Sequence, residues 1–362
     1  MTLNEKFFGL LRAALWAKPV DFPISPDEAA ALVDLAARQT VSGLIIDQLI
    51  KNEVRMERNT LLQAYALLER IKQQNESMNA KVAAFARLMD ETATNYLIVK
   101  GQTLAALYPE PSVRMSGDID VLVRDYRHAV SVLREHWQAD LPDRFPGKET
   151  AFSHDGAIYE LHTYLIGFGS NRHRRRWEQA LADSAPEAIT IGGARVSVMQ
   201  PTLNAAYIFM HMFFHFVGGG VGLRQLCDWG VAMHHYADKI DARGLEELLR
   251  QLGLLRAFRA FGTILVDRLG MPDFPLPLSA KDRRMQSLIL RDMLDGGNFG
   301  RSRRKVKRIG LLHKAETGLL TLTSSLRYLR LAPLELSLQV HRKVVNNCDI
   351  LSHRLRTRRP AD

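Results

Sequence analysis

The residues best suited to chemistry in this chain are two aspartates that stand two positions apart. Asp118 and Asp120 belong to the segment GDIDVLVR, which begins at Gly117. Because side chains alternate along a strand, the two carboxylates point to one face. At about 4–6 Å their repulsion is on the order of 3–4 kcal/mol, so the pair needs solvent or cations. Hard oxygen ligands at this spacing suit Mg²⁺, and two such ions can hold the attacking and leaving oxygens of a nucleotidyl transfer.

The residues before this pair predict a strand, a glycine turn, a helix and then a second, acidic strand. An apolar β-type run at 97–99 ends at Lys100-Gly101, and a helix-compatible segment follows. A loop containing Arg114 then leads into the acidic strand. The turn and the acidic strand are therefore expected to lie next to each other.

A third acidic residue is predicted on a later hairpin. The segments TAFSH and AIYELHTYL flank Asp155-Gly156, a pair that favours a two-residue type I′ turn. On the second strand Glu160 stands among apolar and aromatic residues, where an unpaired carboxylate is costly to bury. Glu160 is thus the expected third acid, and a structural salt bridge with Arg114 is the alternative. His162, on the same face, is a weaker candidate because imidazole prefers softer ions than Mg²⁺.

These segments together resemble the nucleotidyltransferase superfamily that includes DNA polymerase beta, and especially its bacterial branch described as uncharacterised nucleotidyltransferases. Most of the superfamily has Gly-Ser at the turn, with the serine touching phosphate, whereas this chain has Gly101-Gln102, so the resemblance leaves the phosphate contacts open. The motifs that carry the resemblance are Lys100-Gly101, Arg114 followed by Gly117-Asp118-Ile119-Asp120, and Glu160-Leu161-His162.

The resemblance implies an α+β fold in which a polymerase-beta-like mixed sheet is flanked by N- and C-terminal helical lobes. It also implies an enzyme that uses Mg²⁺, or Mn²⁺, to move an NMP from an NTP to an unidentified acceptor with release of pyrophosphate. ATP is the expected donor. The roles that follow are metal binding and catalysis for Asp118, Asp120 and Glu160, and nucleotide binding for Lys100, Gly101, Arg114 and Gly117.

Composition places few other limits on function. The chain has 362 residues, of which 46% are hydrophobic and 24% charged, as is usual for a globular protein with a sizeable core. Cys227 and Cys348 lie far apart, which predicts neither a disulfide framework nor a thiolate zinc site and fits a reducing cytoplasm. No apolar run is long enough to span a membrane. The net charge of +10 favours anionic partners.

The pattern of helices, hairpins and breaks predicts four regions. A second hairpin, with Gly192-Gly193 at its turn, is expected to add edge strands beyond the site. The regions are an N-terminal helical lobe (1–93), the catalytic core (94–200), a helical domain (201–290) and a basic helical C-terminal region (291–362).

Clusters of basic residues support a rival function. Arginine binds phosphate and stacks on bases, so these clusters are consistent with a module that binds nucleic acid or another anionic partner without catalysis. A solvated helix face is the simpler interpretation. The clusters are Arg172, Arg174, Arg175 and Arg176 beside Trp177, the block at 301–308 and the block at 353–359.

Two pairs on the following helices have spacings that permit interaction. His211 and His215 are four residues apart, but no glutamate adjoins His211, so core histidines are expected rather than a zinc site. Arg224 and Asp228 are also four apart and can pair on one helix face. Asp228 is a weak candidate for the site.

Overall fold

The computed structural model describes residues 1–143, 147–278, 280–297 and 311–341, with side chains described for all of these except 280–282 and 311–317. The basic blocks at 301–308 and 353–359 and the end of the predicted C-terminal region lie outside these residues. The fold within them is α+β, with a small mixed sheet among many helices, as the sequence predicted.

Four helices precede the sheet. The second begins at Pro26, where Ser25 accepts a hydrogen bond from the backbone of Glu28 and the Glu28 side chain accepts one from the backbone of Ser25. This capping box satisfies two amide groups that the first turn leaves without partners. The helices are α1 (Leu3–Trp16), α2 (Pro26–Gln39), α3 (Ser42–Lys51) and α4 (Arg58–Glu91).

The central sheet has four strands in the order β1-β2-β4-β3. Strands β2 and β4 are parallel, and the other neighbours are antiparallel. In the β3–β4 turn, Asp155 and Gly156 have φ values of 48° and 70°, as the predicted type I′ hairpin requires. The elements are β1 (Tyr96–Val99), α5 (Gln102–Ala105), β2 (Ile119–Val123), α6 (Tyr126–Trp137), β3 (Glu149–His154) and β4 (Ala157–His162).

The second hairpin forms a sheet of its own. Strands β5 (Glu187–Ile191) and β6 (Ala194–Val198) pair only with each other, and β6 packs against α4 and β1. The expected edge strands of the central sheet are therefore a separate layer. In the chain, α7 (Asn171–Ala182) lies between β4 and β5.

The remaining described residues are helical. Glu335, in the helical stretch 333–341, accepts hydrogen bonds from the backbone of Gly169 at 2.6 Å and from His173 Nδ1 at 2.5 Å, which attaches this stretch to the start of α7. No described helix is both long and apolar enough to cross a membrane. The helices are α8 (Pro201–Gly218), α9 (Leu223–His235), α10 (Ala242–Gln251), α11 (Leu255–Asp267), α12 (Ala280–Gly296) and α13 (Leu311–Arg327).

Two hydrophobic cores lie on opposite faces of the central sheet. The smaller contains Ile119 and Val121 of β2 and packs them on α4 and α6. The larger contains Leu122 and joins helices from both ends of the chain, from Phe7 to Leu336. The N- and C-terminal helices thus share one core, and the division into four regions stays a prediction.

Candidate active site in an acidic cleft

An acidic cleft of about 230 Å³ opens on the sheet face that carries Asp120. Because β2 and β4 are parallel and in register, Asp120 lies directly beside Glu160. Four cations and three further carboxylates from outside these strands border the same space. The charged residues that line the acidic cleft are Lys100, Arg114, Asp118, Asp120, Lys148, Glu149, Glu160, Arg224 and Asp228.

Asp120 is neutralised by two neighbouring side chains. Its side chain is buried, with Oδ2 lying 3.0 Å from Lys100 Nζ and Oδ1 lying 2.9 Å from His162 Nε2. Burial raises the pKa of this carboxyl, but Lys100 and His162 outweigh that effect and lower it to about 2. Asp118 is exposed and stands just before β2, at the mouth of the acidic cleft.

Glu160 is in the opposite electrostatic situation. Burial raises its pKa first, and the charges of Asp120, Asp118 and Glu149 raise it further, to about 7. The Lys100 ammonium lowers this pKa but does not compensate for the other effects. Because its surroundings disfavour the ionised form of Glu160, an added cation would stabilise that form.

The chemistry of this group fits a metal ion. Asp120, Glu160 and His162 each offer a ligand atom, and these atoms lie within 4.8 Å of one another. The sequence had predicted Asp118 in place of His162 in this set. Asp118 borders the same space from its exposed position, and its carboxylate is the harder ligand. His162 Nε2 is already hydrogen-bonded to Asp120, whereas its Nδ1 has no hydrogen-bond partner among the described residues.

The Lys100-Gly101 turn places the Lys100 ammonium group beside Asp120. Gly101 has φ 49° and ψ −124°, a conformation that residues with a Cβ rarely adopt, and the position of its missing Cβ is 3.4 Å from the carbonyl oxygen of Asp118. Lys100 Nζ also lies 3.2 Å from Nε2 of His211. Burial, followed by the Lys100 charge, holds the pKa of His211 well below 6.5, so its neutral ring can accept a hydrogen bond from Lys100.

Gln102, which replaces the usual serine, has a structural role. Its side chain is buried, and Nε2 donates to Oδ1 of Asn79 at 2.7 Å and to Oδ1 of Asn75 at 3.2 Å. These bonds fasten the turn to α4. In the usual Gly-Ser turn the serine hydroxyl contacts phosphate, whereas here the side-chain amide of Gln102 binds asparagine side chains of α4.

Arg114, which is predicted to bind nucleotide, is paired with a carboxylate of the protein. Its Nε and Nη2 donate to the two carboxylate oxygens of Asp228, each at 2.8 Å, and Tyr108 donates to the same carboxylate. Both charged groups are buried. The pair therefore holds the loop before β2 against α9. Within the described part of the chain Glu160 has no arginine partner, and the Arg114 pair takes the place of the expected pairing of Asp228 with Arg224.

Residues that sequence reasoning did not place in the site also border the acidic cleft. Lys148 and Glu149 lie at the start of β3, and the register from the Asp155-Gly156 turn puts Glu149 opposite His162, so the hairpin pattern contained this information. Glu149 Oε2 lies 3.5 Å from His162 Nδ1. Arg224, a further cation of the cleft, had no local signal.

The two histidines of α8 border the cleft and are not confined to the core. His211 is half-buried and His215 is exposed, with ring centroids 4.3 Å apart. Gly117 is exposed beside them, and a Cβ at that position would meet no atom within 4 Å. Its small size is therefore not demanded by packing.

The arginines of α7 lie away from the acidic cleft. All four side chains point outward, while the neighbouring Trp177 is buried. Arg174 Nε is 3.9 Å from Glu178, and Arg176 donates to Gln251. Arg172 and Arg175 are exposed without an ion pair to any described residue.

The match to a family profile identifies the family of this chain. A crystal structure of an antigenic nucleotidyltransferase-like protein from Paracoccidioides brasiliensis aligns with 53% of this chain and 92% of its own, at 15% identity and a TM-score of 0.30. No curated protein matches the chain. Residues 25–270, about two thirds of the sequence, match the profile of a family described as uncharacterised nucleotidyltransferase. Since that match spans the glycine turn, the acidic strand and the helices that border the cleft, the chain belongs to the uncharacterised nucleotidyltransferase family.

Proposed function

We propose that the protein is a Mg²⁺-dependent nucleotidyltransferase that moves an NMP from an NTP, with ATP as the first candidate, to an acceptor hydroxyl or phosphate. The observation that carries the proposal is the pairing of Asp120 with Glu160 on adjacent parallel strands, beside the Lys100-Gly101 turn. In a member of this family, such a cleft has the ligands and the charge that nucleotidyl transfer requires.

Asp118 and Asp120 are assigned to metal binding, and Glu160 either completes one metal shell or acts as general base. When bound, Mg²⁺ would neutralise phosphate charge and align the reacting oxygens. Because Asp120 is now paired with Lys100, metal binding requires the ammonium group to give up part of that contact. Lys100 then becomes available to the nucleotide, which supports its proposed role in phosphate binding. His162 acts as a positioning residue, because its hydrogen bond fixes the carboxylate of Asp120.

The proposed step is a displacement at the α-phosphorus. A bond forms between the acceptor oxygen and the α-phosphorus, the bond from that phosphorus to the bridging oxygen breaks, and pyrophosphate leaves with the electron pair. For a hydroxyl acceptor the proton passes to the carboxylate of Glu160. In that role Glu160 does not coordinate the ion, and its pKa of about 7 in the metal-free protein suits a general base at neutral pH.

The cations around the cleft are proposed to hold the triphosphate. Lys148 and Arg224 border the cleft with Lys100, and Arg224 Nε is buried without a hydrogen-bond partner among the described residues. Gly117 leaves its backbone open to a ligand, since an added Cβ would meet no atom within 4 Å, and the positive φ of Gly101 sets the turn beside Asp118. Arg114 contributes to the site through the Asp228 pair, which positions the loop that ends at the acidic strand.

The rival function is binding without catalysis through the α7 arginines. The exposure of Arg172 and Arg175 favours it, because unpaired guanidinium groups are available to phosphate. If these residues bind nucleic acid, affinity should fall steeply between about 50 and 200 mM salt. Replacing both by glutamate should abolish that binding without changing nucleotide transfer in the cleft.

The test combines nucleotide binding with turnover. Purified protein is titrated with each α,β-methylene NTP with and without Mg²⁺, and then incubated with α-labelled NTPs and an extract of small molecules while pyrophosphate is measured. We expect metal-dependent binding and labelled product in the wild type and loss of both in Asp118→Asn. Nucleotide binding that is absent, or equal with and without metal, would refute the proposal. Salt-sensitive nucleic-acid binding without pyrophosphate release would establish the rival function.

A further inference from the structure

A smaller cavity adjoins the acidic cleft, between α8, the loop after β4 and the helical stretch 333–341. This side pocket has a volume of about 270 Å³ and is bordered by Leu165, Ile166, Phe214 and Gln339, among others. Residues that border both spaces show that the side pocket and the acidic cleft are neighbours; they are Lys148, His211 and His215.

The side pocket and the Lys100-Gly101 turn lie on opposite sides of the metal-binding carboxylates. Strand β1 runs antiparallel to β2, so the turn after β1 lies where β2 begins. Strand β4 is parallel to β2, so Leu165, which follows β4, lies where β2 ends, with Asp120 and Glu160 in between. An in-line displacement at phosphorus places the attacking oxygen opposite the leaving group. With the phosphates at the turn, the acceptor is therefore expected in the side pocket.

The side pocket offers no unpaired charge to a ligand. Among the described residues that border it, Lys148 alone is charged at neutral pH, and its Nζ lies 3.1 Å from Oε2 of Glu149. Loss of solvent around the rings, followed by the Lys100 charge, lowers the pKa of both His211 and His215, so both rings are neutral. A charged acceptor would lose hydration here without gaining an opposite charge.

The surface of the side pocket suits a ring that carries hydroxyl groups. Neutral imidazole and the amide of Gln339 both donate and accept hydrogen bonds, as hydroxyl groups do. The half-buried ring of Phe214, with Leu165 and Ile166, offers an apolar surface to the C–H face of such a ring. The volume lies just below the usual range of about 300–1,000 Å³ for ligand pockets, so it fits one ring rather than a polymer.

The helical stretch 333–341 holds the outer wall of the side pocket in place. The buried carboxylate of Glu335 accepts hydrogen bonds from the backbone N–H groups of Gly169 at 2.6 Å and Ser170 at 3.1 Å. A Cβ on Gly169 would lie 2.8 Å from Cβ of Leu338, so the loop and the helical stretch are in close contact. These contacts place Gln339 at the pocket and fix its shape before a ligand binds.

We propose that the side pocket is the acceptor subsite and takes an uncharged ring compound with several hydroxyl groups, such as a neutral sugar or a cyclitol. This inference rests on the proposed nucleotidyl transfer. A ring hydroxyl oxygen forms the bond to the α-phosphorus, its proton passes to Glu160, and pyrophosphate leaves with the electron pair of the broken bond. The product is the NMP ester of the ring compound.

The experiment measures binding by saturation-transfer NMR on the intact protein with Mg²⁺ and α,β-methylene ATP. The neutral probes are the methyl glycosides of glucose, galactose and mannose, together with myo-inositol. At least one of them should bind. Its affinity should exceed those of glucose 6-phosphate and glucosamine by about fivefold or more, because the pocket does not compensate their charge.

Gly167→Phe should lower the affinity for the neutral probe by about tenfold or more, because a Cβ at Gly167 meets no atom within 4 Å and the added ring can occupy the pocket. Nucleotide affinity should not change. Gly318→Phe is the matched control, since its Cβ position is equally open and Gly318 does not border the side pocket. With α-labelled ATP, the wild type and Gly318→Phe should convert the bound probe into a labelled ester, and Gly167→Phe should form far less.

Thermal unfolding identifies a variant that fails to fold. Gln339→Leu, which removes the amide at similar size, provides a second test and should reduce probe affinity about fivefold, as expected for one hydrogen bond. Absence of metal-dependent nucleotide binding would refute the proposed function. Normal nucleotide binding without binding of any neutral probe would overturn this inference alone. It is also overturned if the bound probe is never labelled, if charged probes bind equally well, or if folded Gly167→Phe loses nucleotide affinity, which would assign the side pocket to the nucleotide base.

Discussion

Replacing Glu160 by glutamine should stabilise the metal-free protein at neutral pH and at the same time weaken its response to metal. The pKa of this carboxyl is about 7 in the folded protein, above its ordinary value of 4.5, because of burial and the charges of Asp120, Asp118 and Glu149. Between these two pH values the folded state holds a proton that the unfolded state has released. Folding stability is therefore lost as pH rises from about 4.5 to about 7, and it stays reduced above that.

The size of the effect follows from the pKa difference. At about 1.4 kcal/mol per pKa unit, the full difference corresponds to about 3 kcal/mol. Because the Glu160 side chain is 27% exposed, solvent screening reduces the expected effect to about 1–2 kcal/mol. Glutamine is nearly isosteric and carries no charge. The variant should thus gain this free energy of unfolding at pH 8 and show almost no difference from the wild type at pH 4.5.

The assay is urea unfolding at pH 4.5 and pH 8 in EDTA, repeated with Mg²⁺ at pH 8. Glu149→Gln is the matched control on the neighbouring strand. Burial raises the pKa of Glu149, but the hydrogen bond and charge of Lys148 lower it overall, so removing this charge should not stabilise the protein. Mg²⁺ should stabilise the wild type more than Glu160→Gln. A Glu160→Gln protein that is no more stable than the wild type at pH 8 would refute the electrostatic argument.

Three further predictions concern the turn and the ion pairs. Asp118→Asn should abolish metal-dependent nucleotide binding with little change in melting temperature. Asp120→Asn should abolish this binding and also lower the free energy of unfolding by about 2 kcal/mol at pH 7, because the lowered pKa of the buried Asp120 contributes stability that is lost only as pH falls from about 4 to 2. Equal melting temperatures of the two variants would contradict this. Arg114→Ala should cost about 3–5 kcal/mol in urea unfolding, since it leaves the Asp228 carboxylate buried without its partner, and a loss below about 1 kcal/mol would show that the pair is not structural. Gly101→Ala should lower the melting temperature and nucleotide affinity together, because its backbone conformation is strained for alanine, and an unchanged variant would show that the turn can relax.

Local patterns in the sequence were sufficient for the elements that carry the site. The Asp155-Gly156 pair marked a hairpin whose register places Glu149 opposite His162. Alternation along the acidic strand separated Asp120 from the core residue Val121. These features depend on residues a few positions apart, so turn chemistry and periodicity determine them wherever the segment packs.

The partners of the charged groups were decided only by the tertiary structure. Arg114 and Asp228 are 114 residues apart, and nothing in either segment distinguishes this pairing from the i,i+4 pairing of Asp228 with Arg224. Likewise the parallel placement of β4 beside β2, which brings Glu160 next to Asp120, depends on how the sheet packs between its two cores. Such contacts form only when the burial of distant apolar surface compensates the entropy of ordering the chain, and that balance belongs to the whole fold rather than to any one segment.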